Sequence, residues 1–210
     1  MMIQLAVKRG LDILFAFLAL LVLSGVLLVI SVAIKVDSKG PVFFKQERLG
    51  KNGTVFQIYK FRTMVEDAES KGRGIFQNEN DDRITKTGKL LRVTSLDELP
   101  QLFNILRGEM SFIGPRPPLT YYPYTIDGYS GEQKIRFQFL PGITGYAQIM
   151  GRNSLNWEEK IHYDIDYVEN YSLGLDLKIF ILTIYKIVQR EHVHHPENSD
   201  TQLNQVNKKA

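Results

Sequence analysis

The sequence predicts an α+β fold that is mainly helical. It is built on an N-terminal re-entrant helical hairpin in the membrane (a monotopic arrangement), a small β-hairpin, and helices lying at the membrane interface. Three observations predict it. Ile13 to Ile34 runs without a single charge. "PVFFKQERLGKNGTVFQIYKFRTM", Pro41 to Met64, carries two strand-like runs around an Asn-Gly pair. Two stretches near the C-terminus, "NWEEKIHYDIDYVENYS" and "LGLDLKIFILTIYKIV", repeat apolar residues at helical spacing.

The apolar run would measure roughly 33 Å as a helix, about the thickness of a bilayer core. No small-x-small site follows a short apolar core, so a cleaved signal peptide is not expected. One spanning helix is the simple reading. The flanks argue for another: Lys8 and Arg9 precede the run, and Lys35, Lys39, Lys45, Arg48 and Lys51 follow it. Positive residues favour the cytoplasmic side, and a segment that enters and returns on one face satisfies both flanks. Ser24-Gly25 lies midway, where glycine weakens a helix and serine can cap the return limb. The expected organisation is a membrane-embedded segment at 1–35, a cytoplasmic domain at 36–190 and a flexible polar tail at 191–210.

Within the domain, Val42-Phe43-Phe44 opens one strand and Val55 to Phe61 forms another, with Lys51-Asn52-Gly53 as the turn that Asn-Gly favours. The basic residues here read mainly as contacts to anionic lipid, Lys60 and Arg62 on the second strand less so. Glu66 to Asp82 is polar and reads as a mobile loop or lid. Arg83 to Leu96 carries four cations and no acid. Gly114 to Pro118, "GPRPP", is a stiff turn, because proline fixes its own φ and restricts its predecessor. Leu140 to Asn153 is also turn-rich and contains Arg152. The next stretch is a helix with Trp157, Ile161, Ile165 and Val168 on one face. Leu173 to Val188 is short for a span, so it is expected to be buried or to lie at the interface. In the tail, "HVHH" reads as part of a floppy polar terminus and not as a metal site.

Composition narrows the chemistry. Among 210 residues there is no cysteine, which removes disulfides, thiolate catalysis and cysteine-ligated zinc, and suits a reducing compartment. A net charge of +3 makes no polycation, and no nucleic-acid partner is expected. No phosphate-loop or dinucleotide glycine fingerprint occurs.

The chemistry-bearing stretch is "RVTSLDELPQLFN", Arg92 to Asn104, with Asp97 and Glu98 adjacent. The bland reading is a capping box with Ser95 as N-cap and Glu98 three residues on. Pro100 strains that register, since its missing N–H falls where the helical ladder begins; with Asp97 as N-cap it falls among the free N–H positions. The second register puts Asp97 at a helix start, which also favours phosphate. As an active site, the aspartate would attack phosphorus to give an acyl phosphate. The glutamate would hold Mg²⁺, which offsets the charge of a diphosphate.

"SLDELPQLFNIL", "MSFIGPRP", "PGITGYAQIMGRN" and "YKFRTM", after one N-terminal apolar segment, resemble the bacterial monotopic phosphoglycosyl transferases in motif and in order, from about Lys8 to about Arg190. By size the chain resembles the minimal catalytic form. The resemblance implies transfer of a sugar 1-phosphate from a UDP-sugar to undecaprenyl phosphate with release of UMP, the first membrane step of surface-glycan or glycoprotein-glycan assembly. It implies a catalytic site on the cytoplasmic face of the inner membrane, with Asp97 as nucleophile of a ping-pong scheme and Glu98 as Mg²⁺ ligand. It further implies that Lys60, Arg62, Arg92, Arg116 and Arg152 hold phosphates or nucleotide, that Asp164 belongs to the site, and that Lys8 and Arg9 face lipid headgroups. The family's membrane turn is usually Ser-Pro. Here it is Ser24-Gly25, which encodes the turn less firmly and leaves a spanning variant open. Which sugar is moved, which glycan is built and whether the chain forms a homo-oligomer are not written in these motifs.

Two rival readings have their own signals. Asp164-Ile-Asp166 matches the Asp-x-Asp metal site of ordinary glycosyltransferases, though in a helix-like stretch and not after a strand. A membrane-anchored scaffold with a basic lipid-contacting face would depend on no single acid.

Overall fold

The computed structural model describes residues 1–68, 81–151 and 154–189. Arg152, most of the polar Glu66 to Asp82 segment, and the tail lie outside them.

Helix α1, Met2–Asp37, is unbroken. The turn expected at Ser24-Gly25 is not formed, for a local reason. The Ser24 hydroxyl donates to the Leu21 carbonyl at 2.9 Å, closing on the turn behind it and capping no return limb. Gly25 keeps the N–H that a proline would remove, and its cost of about 1 kcal/mol against alanine is small beside a run this apolar. The helix is about 54 Å long. Among the described residues it alone is long and apolar enough to cross a membrane.

Its burial follows one stripe. Asp12 and Ala16 are buried near one end, Ile30 and Ile34 near the other, each pair one turn apart, with Leu20 and Leu27 half-buried between them. Leu14, Phe17, Val22, Leu28 and Val29 remain exposed. Polar contacts fasten both ends to the rest of the chain. At the N-terminal end Lys8 pairs with Asp176 at 2.7 Å, Arg9 donates to the Ile105 and Met110 carbonyls, and Asp12 accepts from the Phe112 N–H at 3.2 Å. At the C-terminal end Asp37 accepts from the Thr87 N–H at 2.7 Å, and Arg62 donates to the Ser38 and Lys39 carbonyls.

The expected hairpin is present. β1, Phe43–Leu49, pairs antiparallel with β2, Val55–Phe61, from Phe43 opposite Phe61 to Leu49 opposite Val55. Asn52 and Gly53 turn the chain with φ of 56° and 76°, the left-handed region that Asn and Gly tolerate best. Ile58 points from β2 into a cluster with Ala16, Leu102, Ile105 and Met110.

α2, Lys86–Thr94, starts at Thr85, whose side chain accepts from the Gly88 N–H at 3.0 Å. Gly88 admits no side chain: a Cβ there would stand 2.0 Å from the Thr63 carbonyl oxygen. That close approach seats α2 against the end of β2. Then come α3, Gln101–Arg107, and a parallel pair of short strands, β3, Ser111–Ile113, and β4, Gly142–Thr144. Between them runs the proline-rich loop. α4, Tyr146–Met150, leads to α5, Trp157–Glu169, whose start carries a capping box of Asn156 and Glu159. Ile161, Ile165 and Val168 face inward as the periodicity predicts. α6, Leu173–Gln189, turns Asp176 and Ile179 inward and leaves Leu177, Phe180, Ile181 and Ile184 exposed. The 177, 180, 181, 184 spacing is one helix face, so α6 carries an exposed apolar stripe.

Candidate active site

Four segments bring charged groups together. Ser95 ends α2 in the left-handed conformation, φ 57°, and the chain then turns through a short 3-10 segment, Leu96–Glu98, before α3. Neither capping register is adopted. Ser95 closes the helix behind it and does not cap the one ahead, and α3 begins at Gln101 with Pro100 as its N-cap. Pro100 therefore sits at the helix entrance, where its missing N–H costs nothing. Asp97 and Glu98 lie on the turn ahead of α3, and neither is its N-cap.

Glu98 is bound by cations. Lys60, next to last in β2, donates to Glu98 Oε1 at 2.8 Å, and Arg116, from the "GPRPP" loop, reaches the same oxygen at 3.4 Å. Burial pushes the Glu98 carboxyl up, but the Lys60 and Arg116 charges outweigh it and hold it down at about 2. Asp97 is differently placed. It makes no ion pair within 4 Å among the described residues. Burial pushes its carboxyl above the ordinary range and the neighbouring Glu98 charge adds to the push, while Lys60 and Arg92 oppose it. Arg92, in the last turn of α2, is fixed by an Nε donation to Thr63 Oγ1 at 2.8 Å, close enough for its charge and that of Asp97 to act on each other. The two acids thus differ: one is locked into a cation pair, the other is kept unpaired between cations. Such a pair can present a fixed anion beside a carboxylate whose oxygens are available for attack.

Lys60, Arg92, Asp97, Glu98 and Arg116 are therefore one constellation. Four other residues singled out in the sequence do different work. Arg62 follows the last residue of β2, and its guanidinium turns away from the acids to close the end of α1 on the Ser38 and Lys39 carbonyls. Lys8 and Arg9 both have protein partners. Lys8 pairs with Asp176, and Arg9 covers the last carbonyls of α3, where a cation also meets the negative end of the helix. Asp164 is buried, 1% exposed, in an ion pair with Arg136, so it is one step removed from the acids.

Asp164 and Asp166 cannot hold one metal between them. Two residues apart on α5, they face different ways, Asp164 inward and Asp166 outward beside His162. Asp166→Asn is accordingly expected to keep most of the wild-type activity, within about threefold, as a surface change away from the reacting groups; an assay of UMP release checks it.

Sequence reasoning missed Asp12, Arg136, Tyr167 and Asp176. Tyr167 donates to Asp176 Oδ1 at 2.7 Å, so Lys8, Asp176 and Tyr167 form one buried junction between α1, α5 and α6. A lone acid on a predicted apolar helix, such as Asp176, is the signal that was available.

The family model described as bacterial sugar transferase matches residues 3–190. The uncharacterized sugar transferase EpsL of Bacillus subtilis is 44% identical over 186 residues, covering 89% of each chain. The UDP-glucose:undecaprenyl-phosphate glucose-1-phosphate transferase of Klebsiella pneumoniae is 45% identical over 193 residues, covering 88% of this chain and 40% of that protein. The exopolysaccharide production protein ExoY of Rhizobium meliloti is 40% identical over 191 residues, covering 84% of this chain and 83% of the relative. The chain thus spans less than half the length of some relatives and most of the length of others.

Proposed function

This chain belongs to the bacterial sugar transferase family, and from that premise we propose that it moves a sugar 1-phosphate from a UDP-sugar to undecaprenyl phosphate, giving the undecaprenyl-diphosphate sugar and UMP. The names of several relatives support this class of donor and acceptor. The observation that carries the proposal is the asymmetry of the acids: Glu98 bound by Lys60 and Arg116, Asp97 near the charges of Lys60 and Arg92 but without an ion pair among the described residues.

In the proposed reaction an Asp97 carboxylate oxygen attacks the sugar-linked phosphorus. A P–O bond to aspartate forms, the P–O bond of the diphosphate bridge breaks, and UMP leaves with the bridging oxygen. A phosphate oxygen of the lipid then attacks the same phosphorus and releases the carboxylate. Lys60, Arg92 and Arg116 offset phosphate charge and orient the donor in both halves. The covalent intermediate lets a water-soluble and a membrane-bound substrate use one site in turn.

The acids also suit Mg²⁺. No group of three or more metal-type side chains gathers among the described residues, but Mg²⁺ commonly takes one or two carboxylates and completes its shell with water and substrate phosphates. Glu98, with Asp97 beside it, would hold the ion, and its charge would offset that of the diphosphate.

We propose further that α1 lies along the membrane with both ends on the cytoplasmic face. A straight helix crossing the bilayer would carry Arg9 and Asp37 about 42 Å apart along the normal, yet one domain grips both. The exposed stripes of α1 and α6 then meet lipid. Since the chain has no cysteine, Ile3→Cys and Lys39→Cys report cleanly. Neither is expected to react with a membrane-impermeant maleimide in intact cells, and both should react after permeabilisation. Labelling of either one from outside would sink this arrangement.

The activity is tested with the full chain in detergent, Mg²⁺, a polyprenyl phosphate and a panel of UDP-sugars. UMP release that requires both donor and acceptor for turnover is expected, and no release from any donor would overturn the proposal.

A further inference from the structure

We infer that Arg136 is a positioning residue: from inside the fold it grips the backbone of Arg116 and so sets where the Arg116 guanidinium stands over Glu98. The inference rests on the proposed reaction only for what Arg116 binds.

The loop Gly114–Pro118 cannot stiffen itself by regular hydrogen bonding, because Pro115, Pro117 and Pro118 have no N–H. It is held from beneath instead, carbonyl by carbonyl. Pro115 accepts from the Gly142 N–H at 3.0 Å, Pro117 from the Arg48 guanidinium at 3.1 Å, and Pro118 from the Leu49 N–H at 3.0 Å. The Arg116 carbonyl accepts from Arg136 Nη2 at 2.9 Å. Behind the loop, Leu49, Phe137, Phe139 and Pro141 leave a cavity of only about 10 Å³, so the carbonyls have little room to shift.

Arg136 is itself fixed on several sides. The same Nη2 donates to Asp164, and both side chains are 1% exposed. Its guanidinium carbon lies 5.4 Å from the Phe137 ring centre and 6.0 Å from that of Tyr129. A buried ion pair is often no more stabilising than an apolar replacement, so stability alone gives weak reason for charge at this point. Geometry gives a stronger one. Arginine brings one nitrogen, Nη2, to Asp164 and to the Arg116 carbonyl together, and a lysine side chain, whose Nζ ends one atom short of that position on a flexible stem, does not reach as far. The resulting line runs Asp164, Arg136, Arg116 carbonyl, Arg116 guanidinium, Glu98. It gives Asp164 a part in the site without contact with the reacting groups.

The test is a double-mutant cycle on the full-length protein. Arg136→Lys is expected to raise the UDP-sugar KM about tenfold with kcat changed less than about threefold, and to change KM less than about twofold when Arg116 is already methionine. A purely structural role would give the same loss in both backgrounds; that result, or an unaltered KM, overturns the inference. Hydrogen exchange decides independently of activity. In Arg136→Lys the Gly114, Arg116 and Leu119 amides should exchange faster while α2 and α3 are unchanged. If wild-type protein turns over no donor, the proposed reaction fails but this comparison still stands, and unchanged loop exchange would refute the positioning role. Should Arg136→Lys not fold, Arg136→Gln, neutral but still a donor, carries the same comparisons.

Discussion

Asp97→Asn is expected to abolish turnover, lowering UMP release by about 10³-fold or more, as when other covalent nucleophiles are removed. The substitution keeps size and shape but replaces an anionic oxygen with a neutral amide that is a poor nucleophile. Little else should change, because Asp97 makes no ion pair among the described residues and caps no helix. Mass spectrometry sharpens the point. Wild-type protein given donor without acceptor should gain the mass of one sugar phosphate and release about one equivalent of UMP, the signature of a two-step transfer. The asparagine variant should do neither. Full activity in Asp97→Asn, or an adduct on another residue, would sink the assignment.

Gly142→Ala is expected to cost about 3 kcal/mol, at the upper end for overpacking, and to lower the melting temperature by about 10 °C. A Cβ at this position would stand 2.2 Å from the Gly114 nitrogen, 2.3 Å from the Thr144 oxygen and 2.8 Å from the Gly114 Cα. All three are backbone atoms, so no side chain can swing aside. The strands β3 and β4 would have to part, and with them the start of the loop that carries Arg116. Activity should therefore fall further than the loss of folded protein explains. Gly131→Ala, where a Cβ meets nothing within 4 Å, is the control for thermal unfolding. A Gly142→Ala protein that melts with wild type would show that the strands have slack.

What the sequence made legible was local. Asn52-Gly53 announced a turn that two alternating runs had to flank, and α5 declared its buried face through Ile161, Ile165 and Val168. Asp97 and Glu98 stood out because adjacent acids followed four cations. The direction of long side chains was not legible. Lys8, Arg9 and Arg62 each lie beside membrane or site segments, and each proves to spend its charge on an internal carboxylate or carbonyl. Their partners are 168, 96 and 24 positions away, beyond any spacing rule. Ser24-Gly25 misled for the opposite reason. Its local signal was real but weak, and the contacts of α1 on either side of it favour a continuous helix.

The fastening of α1 has a consequence for the order in which the protein is made. Lys8, Arg9 and Asp12 are translated well before their partners, which are Asp176, the Ile105 and Met110 carbonyls and the Phe112 N–H. At roughly 5–20 residues per second, the last of these is synthesised on the order of ten seconds or more after the first. Arg9 and Asp12 wait for partners 96 to 101 positions further on, and Lys8 waits for one 168 positions further on. A segment translated early can thus be among the last to dock, and its docking closes a loop of 168 positions.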